Sequence, residues 1–70
     1  MNVSKALREF GLTPKQIKRV HGRLWIKGAR TFKNIKRISY RVNTDSFIFY
    51  FDESWGHMLI ELSATFVRGN

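Results

Sequence analysis

Basic side chains recur at helical spacing in the first half of the chain: Lys15, Lys18, Arg19 and Arg23, continued by Lys27, Arg30 and Lys33. On a helix, residues three and four apart are surface neighbours, so such a row presents its charges together. A row of cations neutralises phosphates and releases their condensed counterions. Arg can also grip a guanine edge with two hydrogen bonds, whereas Lys acts mainly as a point charge. Thr13, Lys15, Lys18 and Arg19 include no Asn or Gln, although Gln16 is nearby, so the set suits phosphate contact better than base reading. Any one of these residues taken singly is better explained as part of a solvated helix face. The continuity of the row is what points to binding.

The charge is polarised along the chain. Its 70 residues carry thirteen Lys and Arg against five Asp and Glu, for a formal charge of +8. Twelve of the thirteen basic residues, with Glu9 as the single acid, precede residue 42. Beyond it stand Arg68, Asp45, Asp52, Glu53 and Glu61. Solubility alone accepts mixed signs, whereas segregation builds a field that attracts polyanions.

The elements that must position these groups follow from periodicity and punctuation. Val3, Ala6, Leu7 and Phe10 have the spacing of a short amphipathic helix, with Ser4 as a candidate cap and Gly11 as its terminator. Thr13-Pro14 is a helix start. A second helix is expected from Pro14 to about Trp25, with Ile17, Val20 and Leu24 buried and the basic row opposite. Gly22 is a candidate kink or early stop. Residues 26–35 read either as a loop or as a short irregular strand. Ile38, Tyr40 and Val42 alternate with polar residues as a first strand. Phe47–Phe51 is apolar on both faces, as suits a central strand. A last strand is drawn through Met58, Ile60, Leu62, Ala64 and Phe66, although His57–Val67 can also be drawn as a helix.

Turns at Asn43–Ser46 and Asp52–Gly56 close an antiparallel meander. Its expected pairs are Val42–Phe47, Tyr40–Phe49 and Ile38–Phe51, then Phe51–Met58, Phe49–Ile60 and Phe47–Leu62. The other face carries Arg37, Ser39, Arg41, Ile48, Tyr50, Leu59, Glu61 and Ser63. The expectation is one small basic α+β domain over residues 1–70: two short N-terminal helices packed on a three-stranded antiparallel β-meander.

Residues 3–22 resemble the helix-turn-helix family. Ala6, Phe10, Leu12, Ile17 and Val20 stand at its apolar positions and Gly11 at its turn glycine, while Leu7 replaces the alanine usual at the helix crossing. The resemblance implies that the second helix enters the major groove and that Thr13, Lys15, Lys18 and Arg19 face DNA.

Other constellations are weaker. Arg37, Arg41 and Tyr50 could make a basic surface with one stacking platform. Trp55, between Ser54 and Gly56, reads either as an anchor for a protein partner or as a cap on the core. Trp25 is expected to close the core beside Leu24. His21 and His57 are the only histidines. His21 lies beside the buried stripe and reads as structural. His57 reads as an acid or base only with partners that the spacing does not identify. No nucleophile motif, phosphate loop or metal-ligand cluster is present, so no enzyme, cofactor or metal is expected. The chain lacks cysteine and any run of 18 apolar residues, and begins without the apolar block of a signal peptide, so a cytoplasmic protein off the membrane is expected.

The leading expectation is nucleic-acid binding, DNA ahead of RNA, through Thr13, Lys15, Lys18, Arg19, Arg23, Lys27, Arg30 and Lys33, with Arg37 and Arg41 extending the basic surface. The alternative is an inhibitor or adaptor of phage or mobile-element type, docking its basic face on an acidic protein with Trp55 as anchor. An RNA-cleaving toxin using His57 ranks below both. An outer strand left open would allow two chains to pair as a homodimer.

Overall fold

The computed structural model describes residues 2–32 and 35–69. The elements run α1 (Val3–Glu9), α2 (Pro14–Ile26), β1 (Ile35–Arg41), β2 (Ser46–Glu53), β3 (Gly56–Ser63) and α3 (Ala64–Arg68). The strands form one antiparallel sheet in the order β1-β2-β3. The two N-terminal helices cover one face of it, which is the expected α+β arrangement, and a third short helix completes it.

Local chemistry sets each helix end. Asn2, not Ser4, caps α1: its side chain accepts the Lys5 N–H at 2.7 Å. Ser4 lies inside the helix, and its hydroxyl faces His21 Nε2 at 3.3 Å. Gly11 reverses the chain at φ +89°, a conformation that L side chains resist. Thr13 and Gln16 then cap each other: the Thr13 hydroxyl accepts from the Gln16 N–H, and the Gln16 side chain accepts from the Thr13 N–H. α2 continues past Gly22 to Ile26, so that glycine does not stop it. Between α2 and β1 the chain is irregular through Phe32, and Ala29 is fully buried there.

Ile17, Val20 and Leu24 of α2 join Val3 and Leu7 of α1 over the inner sheet face, where Phe49 and Phe51 are almost completely buried. The second hairpin has the expected register: Phe51 pairs with Met58, Phe49 with Ile60 and Phe47 with Leu62. Its turn is tighter than expected, because the strands pair as far as Glu53 and Gly56. The first hairpin is shifted by two residues: Tyr40 pairs with Phe47 and Ile38 with Phe49. The loop is therefore Val42–Asp45, and Val42 lies outside the sheet and is exposed. Asp45 adopts φ 49°, which aspartate tolerates. Ser46 enters β2 because its buried hydroxyl bonds to Glu61 and Thr44. A two-residue shift preserves which face each side chain occupies, so Ile38 and Tyr40 keep theirs although Val42 is lost from the set. Ile48, expected on the outer face, is on it but buried, because β2 is central and the Arg41–Glu61 ion pair crosses it.

The last strand is shorter than expected. After Ser63 the chain becomes α3, although Ala64 and Phe66 continue the alternation. Ser63 caps the helix by accepting the Phe66 N–H at 3.1 Å. Ala64 and Val67, one turn apart, bury on the same side, and Gly69 at φ +77° ends the helix. Trp25 also departs from expectation. It is 51% exposed and does not close the core. Its position on α2 points away from the Val20–Leu24 stripe, and the Arg30 guanidinium stacks on its ring at 3.9 Å.

Candidate nucleic-acid interface

The basic residues of α2 divide into two groups around the helix. Lys15 and Lys18 project from the side opposite the buried stripe and are exposed. Arg19 and Arg23, one turn apart, lean over α3. Their guanidinium carbons lie 4.5 Å and 4.4 Å from the Phe66 ring centre. Arg19 also donates to the Phe66 carbonyl. Both charges are thus held against the molecule, with the ring quadrupole as part of the restraint. Lys27 caps the C-terminal end of α2 and is exposed.

Gln16 is occupied at both ends of its amide. Its oxygen accepts the Thr13 N–H at 2.8 Å and its nitrogen donates to the Arg68 carbonyl at 2.6 Å. Thr13 is exposed, but its hydroxyl serves as the cap. The side chains left unoccupied on the first turns of α2 are therefore Lys15 and Lys18, which suit phosphate rather than base edges. A groove of about 270 Å³ between Lys15, Gln16, Arg19 and Gly69 opens beside them.

The remaining candidates are dispersed. Arg30 donates to the carbonyls of Trp25 and Ala29 at 2.7 and 2.9 Å, which fixes it beyond the end of α2. Lys33 lies outside the described residues. Arg37 and Arg41 are on the outer sheet face, on the other side of the core from α2. Arg37 stacks on Tyr50 at 4.2 Å, and Arg41 is 3.8 Å from Glu61. The structure thus brings together Lys15, Lys18, Arg19 and Arg23 on one helix, places Lys27 toward the β3 edge with Glu61, and separates Arg37 and Arg41 from them. Phe66 and Arg68, which position Arg19 and Gln16, were not anticipated. The signal for them is Ser63 followed by Gly69, a cap and a terminator five residues apart in helix length.

The acids leave α2 uncompensated. The ion pairs among the described residues are Arg41–Glu61 and Arg68–Asp45, Asp52 is hydrogen-bonded to His57, and none of these involves a cation of α2. The Ser46 hydroxyl holds the Glu61 carboxyl below the usual range, opposed by some desolvation and aided by Thr44 and Arg41. Glu61 is thus committed to its own sheet face.

The two histidines differ. His21 stacks on Phe32 with ring centres 4.7 Å apart and faces Ser4, and burial lowers its pKa. It ties α2 to α1 and to the following loop, as a structural residue should. His57 is exposed, with Nδ1 2.7 Å from Asp52. Trp55 stands 69% exposed at the tip of the second hairpin and does not fold back on the core. No group of three or more potential metal ligands occurs among the described residues, and no helix among them is long and apolar enough to cross a membrane.

In comparisons with known proteins, no family model, no curated protein and no solved structure matches this chain.

Proposed function

We propose that the protein binds nucleic acid, duplex DNA ahead of RNA, through the basic side of α2, and that it contacts phosphates rather than base edges. The observation that carries this reading is the set of four cations on α2, Lys15, Lys18, Arg19 and Arg23, that no described acid pairs with, whereas Lys27, half a turn around from Lys18, lies toward the β3 edge beside Glu61. From Lys15 to Arg23 the helix rises about 12 Å. That length matches about three to four steps along a DNA strand at 3.4 Å each. Fixing Arg19 and Arg23 over Phe66 lowers the entropy lost when they meet phosphate. With Gln16 and Thr13 engaged within the fold, sequence preference is weak.

The test is fluorescence anisotropy on labelled duplex DNA, single-stranded DNA and RNA at low salt. Lys15→Glu/Lys18→Glu is expected to abolish measurable binding, because it replaces two attractions with two repulsions. Arg37→Glu, on the far face, is expected to leave most of it. Equal loss in both variants would show a diffuse charge effect and no α2 site.

A second reading rests on Trp55, whose exposure at a hairpin tip suits a binding anchor. In it the protein is an adaptor or inhibitor that docks on an acidic partner. Absence of nucleic-acid binding, with a protein partner lost in Trp55→Ala, would favour it.

A further inference from the structure

The two edges of the sheet are unlike. β1 is blunted as an edge: a bulge interrupts it between Ile35 and Arg37, and Lys36, Arg37 and Arg41 load it with like charge. Both devices discourage strand addition. β3 has neither. It is regular over its eight residues, and among the described residues its main chain pairs only with β2. A groove of about 370 Å³ lined by Lys27, Leu59, Ile60 and Glu61 follows its open side. Successive residues of a strand point to opposite faces, so a groove touching Leu59, Ile60 and Glu61 together lies at the edge itself.

We propose that β3 pairs antiparallel with β3 of a second copy of this chain, with Leu59 facing Leu59 of the partner subunit on a two-fold axis. The residues of β3 are complementary to themselves in that register. His57 faces Glu61 of the partner subunit, twice, and Met58 faces Ile60 of the partner subunit, twice. Leu59 is 62% exposed on the outer face in the single chain and gains an apolar neighbour. Hydrogen-bonding and apolar pairs directly across a sheet stabilise it, and like charges destabilise it. Sliding the register by two in one direction sets Leu59 against Glu61 of the partner subunit, and in the other against His57 of the partner subunit, so both lose this match. Trp55 then stands at the register position of Ser63 of the partner subunit, at the end of the paired strands.

The result is a six-stranded sheet, β1-β2-β3 continued by the same three strands in reverse order. The axis is perpendicular to the sheet, so both helical layers fall on the same side. The two α2 helices would thus present their cations in one direction, although the pairing itself does not rest on the nucleic-acid reading.

Sedimentation equilibrium without nucleic acid, over rising concentration, tests the pairing. The parent chain is expected to dimerise. Leu59→Lys and Leu59→Glu, each facing its own copy, are each expected to weaken dimerisation by about 100-fold or more. Their circular dichroism should match the parent, because the side chain is exposed. An equimolar mixture of the two variants is expected to recover the dimer, since Lys then faces Glu on the axis. Three results would overturn the proposal: a parent that stays monomeric at about millimolar concentration, variants that dimerise as the parent does, or a mixture that stays monomeric.

Discussion

The guanidinium of Arg23 lies 4.4 Å from the centre of the Phe66 ring, and Arg19 approaches the same ring at 4.5 Å. One aromatic residue of α3 therefore restrains two cations of α2. Replacing Phe66 with leucine keeps most of the volume and removes the quadrupole. Each stacking contact at an exposed site contributes about 0.5–1 kcal/mol. Urea denaturation of Phe66→Leu is expected to show a loss of that order, and NMR relaxation of the Arg19 and Arg23 Nε–H groups is expected to show greater mobility. Unchanged relaxation would separate the ring from the ordering of these side chains.

α3 depends on its two ends. Ser63→Ala removes the acceptor for the Phe66 N–H and is expected to cost about 1 kcal/mol. Gly69→Ala forces a left-handed alanine and places a methyl group 3.0 Å from Arg19 Nη2 and 3.2 Å from Gln16 Nε2. Its expected cost is about 1–2 kcal/mol. A thermal melt distinguishes these from a strand ending, which neither substitution would disturb.

How much of this was legible in the sequence depends on whether the signal was local. Thr13-Pro14, the Ile17–Val20–Leu24 stripe and the alternation of Phe47, Phe49 and Phe51 are local, and they place α2 and β2 where the structure has them. The first hairpin slipped by two because Asn43, Thr44, Asp45 and Ser46 are all good turn residues. The choice was made by the Ser46 hydroxyl reaching Glu61 on β3, a contact fifteen residues away. α3 was hidden because Ala64 and Phe66 also fit strand alternation. Trp25 was misplaced because hydrophobicity says nothing about which side of a helix a residue occupies. Its index on α2 does, and it falls outside the buried stripe. The candidate site was legible as a charge row, but the occupation of Gln16 and Arg19 by α3 was not.

His21 gives a pH signature. Burial lowers its pKa below the ordinary histidine value, so the folded state favours the neutral ring. Its contribution to stability is present above that ordinary value and is lost as pH falls through the lowered one. Stability measured in urea is expected to fall more between about pH 7.5 and about pH 5 in the parent than in His21→Gln. Parallel profiles would contradict this.

Glu61 provides a second titration. The Ser46 hydroxyl is the largest cause of its lowered pKa, with Thr44 and Arg41 adding to it against desolvation. The carboxylate contributes to stability above the ordinary glutamate range, and that contribution is lost as pH falls through the lowered value. Carboxyl NMR is expected to show the Glu61 midpoint moving upward in Ser46→Ala. A midpoint that stays in place would assign the shift elsewhere.

The most direct measurement is affinity for duplex DNA against salt concentration. If α2 neutralises about four phosphates, log affinity is expected to fall against log salt with a slope of about −3.6, and Lys18→Ala is expected to reduce that slope by about 0.9. An affinity indifferent to salt, or a slope unchanged when Lys18 is lost, would contradict the account.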